Sequence, residues 1–385
     1  MVGRSAAWPF DSSLLTRSQV PPDGGSVYAR AVSERAPVID VHVHIAARGQ
    51  PGCAVSRAME RQPAFAFMLL ADGVAREDLR RDFDGTIRAQ IVGAIDGADG
   101  VDRAVVLALD AIWSEDGTRR ESASHLVVSN EYVRAVARSH PKVLFGASVH
   151  PDRGPSAGRE ELERCLFGEP PTALVKWIPN AQLIDPALRR HDWFYEALAA
   201  AGVPLLCHAG PEHAVPVPPP ARAHQRLGDP RHLRRALDIG VTVIVAHAAA
   251  RFFPFEQDHL DDLAAMMREA DSNGRWRLFT DVSAMCLWPR IVTVPRVLSA
   301  IPPERMVLGS DYPIPVADVP PRLAHALAPA ERASLRRIAN PLEKNYRQLL
   351  AMGFPAALGW RAADLIPGRA LTWTAERLAP APAGG

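Results

Sequence analysis

The stretch VIDVHVHI, residues 38–45, is built mainly from β-branched aliphatic residues and carries two histidines two positions apart. β-branched residues favour a strand. Side chains at i and i+2 of a strand share a face. His42 and His44 therefore point the same way, with Asp40 in line below them, while Val41, Val43 and Ile45 point oppositely. A buried imidazole needs a partner, and one divalent cation would serve both rings. Taken alone, an H-x-H pair is also the mark of two hydrogen-bonded core histidines. The rest of the chain decides between them.

Seven further apolar runs follow: 102–109 (DRAVVLAL), 143–150 (VLFGASVH), 172–178 (TALVKWI), 203–208 (VPLLCH), 241–247 (VTVIVAH), 276–282 (WRLFTDV) and 305–311 (RMVLGSD). Segments of helical period separate many of them. SNEYVRAVARSH (129–140) opens on a serine cap, HDWFYEALAAAG (191–202) stops at glycine, and PRHLRRALDIG (230–240) has proline near its start and glycine at its end. DHLDDLAAMMREA (258–270) and NPLEKNYRQLLAMG (340–353) complete the set. Strands alternating with helices imply a parallel sheet covered on both faces. Eight such units predict an α/β fold of the (β/α)8 TIM barrel class. An open doubly wound sheet is the alternative, but no G-x-G-x-x-G follows the first strand.

The polar residues gather where barrel enzymes do chemistry, at the C-terminal ends of strands. The first strand carries His42 and His44, the third ends at His150, and the fourth carries Lys176. His208 and His247 end the fifth and sixth, Asp281 lies near the end of the seventh, and Asp311 ends the eighth. Four imidazoles and a carboxylate converging on one mouth suit zinc or a similar divalent ion.

These residues also carry a resemblance. IDVHVHI, SVHP (148–151), VKWIP (175–179), CHAGPE (207–212), VIVAHA (243–248), LGSDYP (308–313) and the closing IANPLEKNYRQLLAMGF are similar to segments of the amidohydrolase superfamily. The branch they resemble is the amidohydrolase-related one, which contains the aminocarboxymuconate-semialdehyde decarboxylase-like enzymes. The resemblance implies a barrel of the metal-dependent hydrolase type over residues 36–355. It implies His42, His44 and His208 as metal ligands, and Asp311 as a ligand that also accepts the proton of attacking water. His247 would be a ligand in two-metal members and a catalytic group in one-metal members. Lys176 matches a lysine that two-metal members carboxylate with CO2 to bridge their metals. A lysine paired with a nearby aspartate, or one binding an anion at the rim, is the plainer reading. The decarboxylase-like relatives generally lack that lysine. The implied reaction is therefore hydrolysis of an amide, ester or lactone of a small organic molecule. One-metal decarboxylation of an aromatic or unsaturated carboxylic acid is the alternative.

Smaller expectations attach to neighbours. His150, Glu212, Arg251 and Trp177 are candidate substrate contacts, Arg251 through a carboxylate. Trp288 is a further candidate wall, and Asp281 is a candidate to orient a ligand imidazole. Cys207, next to His208, is expected to face the helices. Residues 46–85 form a long first connection. FAFMLLADG (65–73) predicts either the apolar inside of a lid or a lobe that packs on a second copy of the chain.

Composition narrows the partners. Lys and Arg number 44 against 43 Asp and Glu, a formal net charge of +1. That gives no footprint for nucleic acid or an anionic membrane, and a small-molecule substrate is expected. No apolar run reaches the roughly 18 residues of a spanning helix. The stretch after Arg4 is broken by Trp8-Pro9 and Asp11 and does not resemble a signal peptide. The 4 cysteines form no C-x-x-C pair, as expected of reduced thiols in a cytoplasmic protein. Residues 1–35 are expected to be an N-terminal arm and 356–385 a C-terminal extension whose last part is disordered. PVPPPARAHQ (216–225) predicts a surface loop.

Overall fold

In the computed structural model, residues 36–70, 73–288, 290–316, 327 and 329–378 are described. All eight predicted strands form. They are β1 (Ile39–His44), β2 (Arg103–Leu107), β3 (Val143–Ala147), β4 (Thr172–Trp177), β5 (Leu205–Cys207), β6 (Val243–Val245), β7 (Leu278–Asp281) and β8 (Met306–Val307). Each pairs in parallel with the next, in sequence order. The ring closes through backbone bonds from Val41 N–H to Leu308 O, Asp311 N–H to His42 O and His44 N–H to Tyr312 O. This is a TIM barrel, and its closure joins the segment of His42 and His44 to that of Asp311.

Alternation along the strands builds two apolar layers. Val41, Leu107, Leu144, Leu174, Leu206 and Ile244 fill the barrel. Val106, Phe145, Val175, Leu205, Val243 and Leu278 face outward. They meet helices Asn130–Ser139, Asp192–Ala201 and Leu260–Asn273 through residues such as Val133, Leu198 and Met267. The predicted caps form: Ser129 accepts from Tyr132 N–H, and Gly202 takes φ 64° to end its helix. Cys207 faces the outer layer, as alternation predicts.

Strict alternation fails on β1. The register against β2 shifts between Asp40 and Val43. Val41 therefore packs inside the barrel, where a simple two-residue period sends it outward, while Val43 and Ile45 face the helices. Such an irregularity re-aims side chains. Asp40 is not in line with the histidines; its Oδ1 accepts the backbone N–H groups of His42 and Ser310, both at 3.0 Å.

Two peripheral segments matter for the site. The first connection contains helices Arg57–Glu60, Pro63–Leu70, Arg76–Arg81 and Phe83–Asp96. A short strand there, Ala54–Val55, pairs antiparallel with Leu126–Val127. At the other end, Ala362, Leu365, Ile366 and Ala370 join the inner layer, and Arg103 donates to Leu371 O at 2.8 Å. Residues past 355, predicted to be an extension, thus plug the barrel away from the histidines. The expected arm at 1–35 and the final residues 379–385 lie outside the described residues. The predicted loop at 216–225 is instead partly helical, Ala221–His224 forming one turn. Among the described residues no helix is long and apolar enough to cross a membrane.

Candidate metal centre

The ends of β1, β4 and β8 bring four side chains together. His42 Nε2 lies 3.1 Å from His44 Nε2, 3.0 Å from Lys176 Nζ and 3.3 Å from Asp311 Oδ1. His44 Nε2 is 3.2 Å from Asp311 Oδ1. His247 reaches the same place from β6, its Nε2 3.9 Å from Asp311 Oδ2 and its ring stacked 5.2 Å from that of His42. His208, from β5, stands edge-on to His247, also at 5.2 Å. The six residues predicted to hold metal are therefore gathered at one mouth.

Hydrogen bonds behind these rings fix their protons. His42 Nδ1 is 2.8 Å from Asp281 Oδ2. A carboxylate only accepts, so His42 carries its proton on Nδ1 and presents an Nε2 lone pair to the centre. Ser283 Oγ–H donates to Asp281 Oδ1 at 2.5 Å, so its oxygen is free to accept from His247 Nδ1 at 2.7 Å. His247 Nε2 is then a lone pair as well. His208 Nδ1 lies 3.5 Å from Glu212 Oε2, and its buried Nε2 has no hydrogen-bond partner among the described residues. Buried polar atoms are rarely left unpaired. An orphaned imidazole nitrogen beside two outward-facing lone pairs is what a divalent ion would complete. The ligand atoms of His42, His44 and Asp311 all lie within 4.8 Å of one another.

Electrostatics supports the same assignment. Burial, then the Lys176 charge, pushes His42 well below the usual imidazole range. Burial, then Arg290, does the same to His247. Burial also lowers His208 and lowers Lys176 below the ordinary lysine range. These shifts favour the neutral form of His42, His208 and His247, the form that ligates metal. Burial raises the Asp311 carboxyl, but His42, His44 and Lys176 more than offset this and hold it below the usual carboxylate range.

The backbone here is strained and braced. His247 and Asp311 sit at φ 58° and 63°, a left-handed region that non-glycine residues seldom occupy. His247 N–H is held by Asp281 Oδ1 at 2.8 Å. Gly309 lets three elements approach: a Cβ there would lie 3.0 Å from Ser283 Cβ, 3.1 Å from His42 Cβ and 3.2 Å from Asp281 Cβ. All three are atoms fixed to backbone, so none can swing away. Gly309→Ala is expected to weaken divalent-metal affinity by about 10–100-fold, the usual cost of disturbing groups that orient ligands. Titration calorimetry on the folded variant measures this, and wild-type affinity would contradict it.

The metal-facing residues open into a cavity of about 370 Å³. Its opposite wall includes Met59, Phe65, Phe67, Met68 and Leu69 from the first connection. Glu212 lines the cavity, but its Oε1 already accepts from Ala214 and Val215 N–H. Trp288 also lines it. Three predicted substrate contacts do not. His150 is fully buried between Gln182 O and Asp152 N–H, and burial pushes it down to about 4. Trp177 packs 4.7 Å from Phe194 and donates to Val149 O. Arg251 turns away to donate to Pro254 O at 2.8 Å. Two residues of the site were absent from the sequence reading, Ser283 and the cavity-lining Arg290.

An all-parallel barrel with imidazoles and carboxylates at its C-terminal mouth is the architecture of the TIM-barrel amidohydrolases. The chain belongs to the amidohydrolase family, whose model matches residues 39–340. That family is metal-dependent, and its members are enzymes that include hydrolases and decarboxylases. Among solved structures, an uncharacterized TIM-barrel protein from Bordetella bronchiseptica is similar at 16% identity, over 89% of this chain and 100% of that one, with a TM-score of 0.51. A 5-carboxyvanillate decarboxylase from Sphingomonas paucimobilis matches at 14% identity, over 89% and 99% of the chains, with a TM-score of 0.48. A putative 2-pyrone-4,6-dicarboxylic acid hydrolase from Pseudomonas putida matches at 14% identity, over 89% and 98%, with a TM-score of 0.46. At 16% identity the likeness to the first of these is one of fold. No curated protein sequence matches the chain.

Proposed function

We propose that this protein is a metal-dependent hydrolase that cleaves an amide, ester or lactone of a small, largely apolar molecule. The observation that carries the reading is Lys176 Nζ, fully buried and 3.0 Å from His42 Nε2. Burial favours the neutral amine, and a neutral amine is the form that adds to CO2. A carboxylated Lys176 would then join His42, His44, His208, His247 and Asp311 in holding one or two ions. The lone-pair orientation of His247 Nε2 supports its role as a ligand. Zinc is the first choice for so imidazole-rich a set.

When bound, the metal would supply acidified water at neutral pH and polarise the scissile carbonyl. The protein's own residues do the rest. Asp311, held ionised, accepts a proton on Oδ2 and returns it to the leaving group. Asp281 and Ser283 hold the imidazole tautomers through the cycle. The apolar helix Pro63–Leu70 serves as a lid that excludes bulk water and seats the apolar part of the substrate.

The test is a panel of apolar aryl esters, lactones and N-acyl amides, offered to protein purified without chelator and with bicarbonate present. Turnover that chelation abolishes and zinc restores is the expected result. Release of CO2 from carboxylic acids, with no ester, lactone or amide cleaved, would overturn the reading in favour of a lyase.

A further inference from the structure

Arg290 begins a short 3-10 turn, Arg290–Thr293, and lines the cavity while only 4% exposed. Its guanidinium lies over the Phe252 ring at 5.5 Å, and its buried Nε has no hydrogen-bond partner among the described residues. Among the described residues no carboxylate forms an ion pair with it. A guanidinium cannot shed its charge at any ordinary pH, and burial disfavours that charge; Asp311, Glu212, Asp281 and Glu256 offset this only from a distance.

The anions that could reach it are engaged elsewhere. Glu212 caps the Ala214 and Val215 amides, Asp311 faces His42 and His44, and Asp281 is held by His42, Ser283 and the His247 amide. Glu256 is paired with His213 at 2.5 Å. The remaining cavity wall is mainly apolar: Gln90 and His213 line it, but the lid helix, PAFAFMLL, has no polar side chain.

We propose that Arg290 is the specificity-determining residue of this pocket, and that the substrate is an amphipathic monoanion. Its one carboxylate, or an equivalent oxyanion, would be held by Arg290, and its apolar body would lie against the lid. The anion is distinct from the bond cleaved at the metal centre. The inference rests on the hydrolase reading for the identity of that bond, but not for the binding itself.

Binding of 4-phenylbutanoate and of its neutral isostere 4-phenylbutanamide tests it, by calorimetry on the full chain, both zinc-loaded and chelator-treated. A charge-assisted bond to guanidinium predicts that the acid binds about 10–100-fold more tightly than the amide. Arg290→Gln is expected to reduce that preference to about threefold or less, with amide affinity retained as proof of an intact pocket. Arg290→Lys is expected to keep part of it, because charge survives while the bidentate fork does not, and it decides the question if the glutamine variant fails to fold. Acid and amide binding equally to the wild type would overturn the proposal. So would an acid preference undiminished in both variants, or one that disappears when metal is removed, since the anion would then sit on the metal. Failure of the hydrolase reading leaves this binding preference intact and so is distinguishable from failure of the proposal.

Discussion

Asp311→Asn is expected to lower kcat by about 10³-fold while the protein stays folded, because positioned proton transfer contributes roughly 10²–10⁴-fold. The substitution is well matched to the site. Asparagine has nearly the same shape, and it is among the few non-glycine residues that tolerate a left-handed backbone, which Asp311 occupies at φ 63°. What it loses is the charge and the ability to accept a proton. The lost charge also removes the group that His42, His44 and Lys176 share, so weaker metal retention should accompany the loss of rate. Elemental analysis beside steady-state kinetics separates the two. Full activity in a variant that keeps its metal would exclude Asp311 as the proton acceptor.

The second large effect is expected at Lys176. In a bridged centre, Lys176→Ala should lower the metal content from about two ions per chain to about one and remove most of the activity. The fold itself should not suffer, because the substitution takes an amine out of a fully buried setting where its charged form is costly. Metal analysis on protein prepared with bicarbonate gives the answer directly. About one ion in the wild type, unchanged by the substitution, would leave Lys176 an ordinary buried cation and turn attention to one-metal chemistry.

The strands were legible because β-branched runs buried on both faces have few alternatives. The ligand set was legible because a parallel barrel makes strand C-termini converge, so residues hundreds of positions apart share one mouth. The period-2 rule also held a warning about Trp177. It adjoins inward-pointing Lys176, so alternation turns it outward, where Phe194 covers it. The same rule reaches Ser283, two residues past Asp281 and bonded to it. Arg290 was beyond such reasoning. It lies in a connection with no regular period, and its importance comes from what does not pair with it in space. His150 misled for a related reason: strand-end position predicts the mouth of the barrel, but the backbone of Gln182 and Asp152 claims both ring nitrogens. The register shift in β1 was also invisible, because it depends on the partner strand.

The closure of the barrel has a consequence for how the chain is made. β1 is among the first strands to be synthesised, yet its second neighbour is the segment around Leu308–Tyr312, and the interior plug comes later still, at Ala362–Ala370. At translation rates of about 5–20 residues per second, the open edge of β1 waits on the order of tens of seconds for that neighbour. During this interval an unpaired, apolar strand is available to pair with another nascent chain. Soluble yield should therefore depend on expression temperature and chaperone supply more than the stability of the finished barrel would suggest.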